Sequence, residues 1–240
     1  NKKNSFQIYG TIMDTTSIDP FTRNISNPTL FTGDLFKQLL LENGLRINRS
    51  KKGAKLSSSK LIATHNSKTL ISTLENLMVE SDNLTAELLV KMIGHETSNS
   101  QGTWQNGLFA MRTFFNDNVG MDTTTFSLSD GSGVSRYNYS SANHFTDLLF
   151  WAYNNPRIKD SLLRILSTTN QKSTLRDRNL PEGIFAKTGS LSGVTTFSGY
   201  ILNDLSNPIA FSILMNGFKG SSSAFKALQD EIVTHLSNVN

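Results

Sequence analysis

Residues 183–200 read GIFAKTGSLSGVTTFSGY, and the triplet Lys187-Thr188-Gly189 lies at their centre. The stretch combines β-forming residues with glycines, which predicts an edge β-strand that carries a cation, a hydroxyl and accessible backbone. Three common residues meet by chance in many chains, so this triplet alone is a weak signal. Its value depends on the motifs that accompany it.

A second triplet, Ser81-Asp82-Asn83, lies between two segments with helical apolar periodicity. Together with Lys-Thr-Gly it makes two parts of the three-part signature of β-lactamases and penicillin-binding proteins. The third part, Ser-x-x-Lys with the nucleophilic serine, should precede both. Only residues 57–60 and 223–226 match it. The first match lies in a polar, basic segment that would not bury its lysine, and the second follows Lys-Thr-Gly and is expected to cap a helix.

Composition excludes several classes of protein. The 240 residues are 37% hydrophobic, which supports a packed core, and the net charge of +4 is scattered and does not indicate nucleic-acid binding. Cysteine is absent, so disulfides and thiolate sites are excluded. The histidines are too far apart in sequence to predict a metal site, and no cofactor is predicted. Neither a signal peptide nor a membrane-spanning apolar stretch is visible.

The order of periodic segments predicts an α+β fold, with a helical group followed by an antiparallel sheet and a final helix. A strand is predicted first at residues 6–13, and a helix capped by Thr32 follows it. Strands are predicted at 183–197 and 207–215, paired through 195–202. The last helix is predicted to begin at Ser223 and to bury Phe225, Leu228, Ile232, Val233 and Leu236. The other helices are predicted near 70–78, 86–93, 104–118, 140–154 and 157–166.

Acyl transfer by serine requires a proton acceptor, oxyanion donors and a cation for the substrate carboxylate. Lys187 is a candidate to polarise hydroxyls and hold an anionic substrate, and Thr188 to bind a carboxylate. Gly189 would let a peptide lie close to the strand, and Ser190 would offer a backbone N–H to the oxyanion. The alternative is a solvated strand lysine beside a bulge.

Ser81 and Asn83 are candidates to relay a proton and to bind a substrate carbonyl. The alternative is simple helix capping, because Ser, Asp and Asn are the favoured capping residues. The two roles are compatible. Residues 130–133 (DGSG) have turn chemistry at every position, so a plain loop is the simpler interpretation there.

The chain resembles the class C low-molecular-mass penicillin-binding proteins, the periplasmic D-alanyl-D-alanine carboxypeptidases and endopeptidases. The resemblance rests on residues 81–87, 92–95 with 102–104, 130–138 and 186–194. It implies a penicillin-binding, β-lactamase-like transpeptidase domain of which 21–240 is the C-terminal part, with residues 1–20 ending an inserted domain.

The resemblance also implies an acyl-enzyme mechanism on peptidoglycan stem peptides ending in D-Ala-D-Ala, with β-lactams as ligands of the complete protein. Ser81, Asn83 and Lys187 would be catalytic, and Thr188, Gly189 and Ser190 would bind substrate. The nucleophile would lie outside this chain, so the chain alone is expected to be inactive. A non-catalytic peptidoglycan-binding or structural module of the same fold is the alternative.

Overall fold

A computed structural model describes residues 7–11, 23–169, 173–204 and 206–239, which divide between two compact units, 1–65 and 66–240. Within these ranges the chain forms helices and one three-stranded sheet, so the predicted α+β class is confirmed. The predicted domain boundary after residue 20 lies outside the described residues. The helices are α1 (Pro28–Glu42), α2 (Leu70–Glu80), α3 (Asn83–Ser98), α4 (Trp104–Phe114), α5 (Ala142–Tyr153), α6 (Lys159–Ile165) and α7 (Ser223–Asn238).

The first unit contains α1, which begins one turn earlier than predicted. Its N-cap is Asn27, whose side chain accepts from the N–H of Leu30, and proline at the first helical position favours this start. Thr32 instead donates its hydroxyl to the Pro28 carbonyl within the helix. Of the strand predicted at 6–13, residues 7–11 have no regular structure and the rest lie outside the described residues.

The sheet of the second unit consists of β1 (Ile184–Leu191), β2 (Val194–Ile201) and β3 (Ile209–Asn216), paired antiparallel in that order. The single strand predicted over 183–197 is therefore wrong, because a two-residue turn at Ser192 and Gly193 interrupts it. Gly193 has a φ of 72°, a conformation that glycine adopts without steric cost. Leu191 and Val194 face each other across this turn.

The sheet packs on both faces, as its alternating side chains require. On one face Ile184, Ala186 and Phe197 form a core with Val233 of α7. On the other face Tyr200 is buried against helical side chains that include Leu149 and Met78. The predicted inward face of α7 is partly wrong, since Leu228 is 46% and Ile232 36% exposed while Val233 is fully buried.

A buried ion pair anchors α7 to the loop that precedes the sheet. The guanidinium of Arg178 lies 2.6 Å from the Asp230 carboxylate, and the two side chains are only 8% and 13% exposed. The same guanidinium donates to the Lys226 carbonyl and to the Gln229 side chain and stacks over the Phe197 ring. The pair therefore joins α7, the loop and the core.

The predicted helix over 104–118 is α4 followed by a π-helical segment, Phe115–Val119. The helix predicted at 157–166 begins later, at Lys159, and Pro156 precedes it in a turn. No helix in the described ranges is long and apolar enough to cross a membrane.

Candidate active site

The two triplets meet, although 106 residues separate Ser81 from Lys187. The Lys187 ammonium donates a hydrogen bond of 3.0 Å to the Ser81 hydroxyl and one of 2.8 Å to its neighbour's carbonyl at Thr188. Lys187 lies on β1, and Ser81 lies at the junction of α2 and α3. The sheet and the helical group thus share one polar site.

Lys187 is partly buried, and this burial lowers the pKa of its ammonium below the usual 10.5. Desolvation disfavours the charged form of a lysine, so the group is closer to a neutral amine than a surface lysine is. An ammonium with a lowered pKa gives up its proton to a neighbouring group more readily than a surface lysine does. The solvated strand lysine considered from the sequence does not describe Lys187.

The backbone conformation of Ser81 and the capping role of Asp82 together explain why the Ser81 hydroxyl can bind Lys187. Ser81 ends α2 with φ 54° and ψ 47°, a left-handed conformation that costs a non-glycine residue on the order of 1 kcal/mol. The next residue, Asp82, caps α3 by accepting from the N–H of Leu84, and it also accepts from the Thr85 hydroxyl at 2.5 Å. The Thr85 hydroxyl bond is the main cause that lowers the pKa of Asp82. Capping is therefore done by Asp82, which leaves the Ser81 hydroxyl for Lys187.

Asn83 is the first residue of α3 and is exposed. Its side chain follows Ser81 by two residues at the same helix junction. Within the described part of the chain, no hydrogen bond joins it to Lys187 or to Ser81, whose hydroxyl accepts from the Lys187 ammonium.

The outer edge of β1 presents backbone groups. Ala186 exchanges hydrogen bonds with Ser167 on the side away from β2, and these groups alternate along an antiparallel strand. Thr188 and Ser190 therefore direct their N–H and C=O groups to that same outer edge. Beyond Ala186, no other strand pairs with this edge within the described ranges.

The side chains of the Lys-Thr-Gly run alternate between the two faces of the sheet. Thr188 faces Phe197 across the ladder, on the face opposite Lys187, and Ser190 shares that face. Gly189 is on the Lys187 face, where an added Cβ would lie 2.5 Å from the Thr196 hydroxyl. Thr188 and Ser190 therefore place backbone N–H and C=O groups at the outer edge of β1 next to Lys187. Their side chains lie on the opposite face of the sheet.

The two Ser-x-x-Lys matches lie neither on β1 nor at the α2–α3 junction. Ser57 and Lys60 are both exposed in the first unit. Ser223 begins α7, and its hydroxyl bonds Ser221 at 3.0 Å. Its predicted capping role is wrong, because the cap position is Ser222 and no side-chain capping bond forms.

The described residues contain no group of three His, Asp or Glu side chains placed to hold a metal ion. A cleft of about 490 Å³ lies elsewhere, beside the end of α5. It is lined by Val119, Asp147, Phe150, Trp151, Asn154, Asn155 and Pro156, so it is separate from Lys187.

Sequence and structure comparisons identify the family. The chain matches the D-Ala-D-Ala carboxypeptidase 3 (S13) family over residues 1–239. It belongs to this family. The resemblance inferred from the motifs is confirmed.

Two curated relatives of this S13 chain are a D-alanyl-D-alanine carboxypeptidase of Actinomadura sp. (strain R39) and the D-alanyl-D-alanine carboxypeptidase DacB of Haemophilus influenzae. The first is 34% identical over 227 residues, which cover 89% of this chain and 41% of the relative. The second is 24% identical, with 90% of this chain and 46% of the relative covered. The S13 chain thus spans less than half the length of these two relatives.

Solved structures show the same fold. Penicillin-binding protein 4 (dacB) from H. influenzae, complexed with a β-lactam, has a TM-score of 0.76 at 23% identity, over 89% of this chain and 52% of that one. A penicillin G-acylated predatory endopeptidase from Bdellovibrio bacteriovorus has a TM-score of 0.56 at 22% identity, over 71% and 46%. The penicillin-binding fold of the S13 chain is therefore shown.

Two residues that organise this region, Glu87 and Arg136, were not assigned a role from the sequence. Both lie in the runs that carry the family resemblance, at 81–87 and 130–138. Apart from the Trp104 indole, their hydrogen-bond partners are backbone groups, which have no signature in a sequence.

Proposed function

We propose that this chain supplies part of a serine-type D-Ala-D-Ala carboxypeptidase or endopeptidase site that acts on peptidoglycan stem peptides through an acyl-enzyme. The contact between the Lys187 ammonium and the Ser81 hydroxyl carries this proposal. It unites a partly desolvated amine, a hydroxyl and an open strand edge, the groups that peptide acyl transfer requires.

Each residue has a distinct role in the proposed reaction. Lys187 and Ser81 form a route along which a proton moves between the attacking serine and the leaving amine, and Lys187 also attracts the terminal carboxylate of the substrate. Asn83 binds a backbone carbonyl of the peptide. The peptide lies along the outer edge of β1, where the N–H of Ser190 is one donor to the oxyanion.

The attacking serine is proposed to come from polypeptide outside these 240 residues. Ser57 and Lys60 are both exposed, and Ser223 begins α7, which packs on the sheet face opposite Lys187. The same proposal assigns the complete protein to the periplasm, with β-lactams as its inhibitors. The penicillin G-acylated endopeptidase of the same fold supports the reaction with β-lactams.

Labelling with a fluorescent penicillin tests the proposal. The 240-residue chain and the complete product of the gene that encodes it are incubated with the reagent and analysed by denaturing gel and intact mass. We expect one covalent adduct on the complete product and none on the 240-residue chain. Label on neither would contradict the proposal and favour the non-catalytic module, and label at Ser57 or Ser223 would show that the nucleophile was wrongly rejected.

A further inference from the structure

The carboxylate of Glu87 joins α3 to two other parts of the second unit. It accepts from the Trp104 indole at 2.7 Å and from the backbone N–H groups of Gly131 and Ser132 at 3.2 and 3.0 Å. Trp104 begins α4, and the two N–H groups belong to residues 130–136, here called the 130–136 loop. One side chain thus holds both a helix and a loop against α3.

The 130–136 loop packs directly on α3 at Gly131. A Cβ at this position would lie 2.5 Å from the Val90 side chain and 2.8 Å from the Ala86 carbonyl, so a larger residue would push the loop away. Asp130 closes the loop internally by accepting from the N–H groups of Gly133 and Ser135. The loop is therefore a stiff unit whose position depends on α3.

The far end of the same loop holds the turn that follows β1. Arg136 donates a hydrogen bond of 2.6 Å from its guanidinium to the carbonyl of Ser192, five residues after Lys187. A continuous chain of contacts thus runs from Glu87 through the loop to the turn. One end lies on α3, which begins with Asn83, and the other lies in the turn directly after β1, the strand that carries Lys187.

Glu87 is charged in this arrangement. Its burial raises the pKa, but hydrogen bonds from the Ser132 side chain, the Gly131 N–H, the Trp104 indole and the Ser132 N–H lower it more, so the net shift is downward. A carboxylate with several donors holds its partners more firmly than a neutral acceptor does.

We propose that Glu87 is a positioning residue: through the 130–136 loop and Arg136 it fixes the β1–β2 turn relative to the start of α3, and so sets the separation of Asn83 and Lys187. This inference rests on the proposed function, because the proposed peptide contacts both Asn83 and Lys187. Misplacement of reacting groups by about 1 Å costs on the order of 100-fold in rate, which is the effect that such a contact prevents.

The Gly193 amide reports on this connection in the 240-residue chain. Its N–H shares a peptide group with the Ser192 carbonyl, so loss of the Arg136 hydrogen bond shifts its ¹⁵N and ¹H resonances. We expect Arg136→Ala to shift this signal directly and Glu87→Gln to shift it in the same direction from a distance. Glu96→Gln, at an exposed position of α3, is the matched control and should leave the signal unchanged. A Gly193 signal that is the same in Glu87→Gln and wild type would overturn the inference.

Acylation by penicillin in the complete gene product provides the second test. We expect Glu87→Gln to slow acylation by roughly 10- to 100-fold and the double variant with Arg136→Ala to be no slower than the slower single variant. Additive losses in the acylation rate would show that Glu87 does not act through Arg136.

Glu87→Asp retains the charge with a shorter reach and should give an intermediate Gly193 shift, which keeps the test informative if Glu87→Gln folds poorly. A wild-type product that penicillin does not acylate would refute the proposed function alone, and the Gly193 signal would then decide the inference.

Discussion

Lys187→Ala should lower the rate at which penicillin acylates the complete gene product by about 10³-fold or more. The variant removes the amine that contacts the Ser81 hydroxyl, and no other described cation is hydrogen-bonded to that hydroxyl. Both the proton route and the attraction for the substrate carboxylate are lost together. The rate is measured by stopped reaction with fluorescent penicillin at several concentrations.

The same substitution should leave the fold intact. Partial burial of the Lys187 ammonium is unfavourable in the folded state and offsets its hydrogen bonds. Its removal should therefore change the free energy of unfolding by about 1 kcal/mol or less. Lys219→Ala, at an exposed loop position, is the matched control and should retain wild-type acylation. Acylation of the Lys187→Ala variant at the wild-type rate would remove the role proposed for this lysine.

Asp230→Ala should lower the free energy of unfolding of the 240-residue chain by about 3–5 kcal/mol. The substitution leaves the Arg178 guanidinium buried without its charged partner, and the favourable contacts of an ion pair do not compensate for burial once one member is gone. Equilibrium unfolding in urea, followed by circular dichroism, measures the change. We expect the midpoint to fall with little change in the slope.

Asp177→Ala is the matched control for this prediction. Asp177 also pairs with an arginine, Arg176, but the two side chains are 87% and 61% exposed. An ion pair in water contributes about 1 kcal/mol at most, so this variant should unfold nearly as the wild type does. An equal fall in the free energy of unfolding of the two variants would show that burial does not determine how much the Arg178–Asp230 pair contributes to stability.

The helices and the site motifs were largely predictable from the sequence because their signals are local. Apolar residues at helical spacing marked α2 and α3, and the polar triplet between them marked the junction. The start of α1 was misplaced because Thr32 is also a good capping residue, and only the geometry shows that Asn27 takes the role. The hairpin turn was missed because Ser-Gly within a run of β-forming residues resembles a continuous strand.

Contacts between distant parts of the chain were not predictable from the local pattern. Nothing in the sequence around residue 87 indicates that its carboxylate accepts from backbone groups at Gly131 and Ser132, more than 40 positions later. Similarly, alternation along β1 placed the Thr188 side chain on the face opposite Lys187. The sequence predicted accessible backbone beside Lys187, but it did not show that the Thr188 hydroxyl, a candidate to bind a carboxylate, lies on the other face.

The pH dependence of stability follows from the lowered pKa of Lys187. Between that pKa and the usual 10.5, the unfolded chain binds more protons at this position than the folded chain does. The free energy of unfolding therefore rises with pH across this window. Below the window, Lys187 is charged in both states, and the burial of its charge lowers the stability of the folded chain by the full amount. Lys187→Met should remove this contribution.

The pKa of Lys187, measured from the Cε and Nζ resonances of the 240-residue chain by NMR titration, tests most directly whether a desolvated amine faces Ser81. We predict that Lys187 titrates below the other lysines of the chain and that Ser81→Ala lowers its pKa further, because the charged form loses a hydrogen-bond acceptor. A Lys187 that titrates together with the surface lysines, and does not respond to Ser81→Ala, would contradict the account.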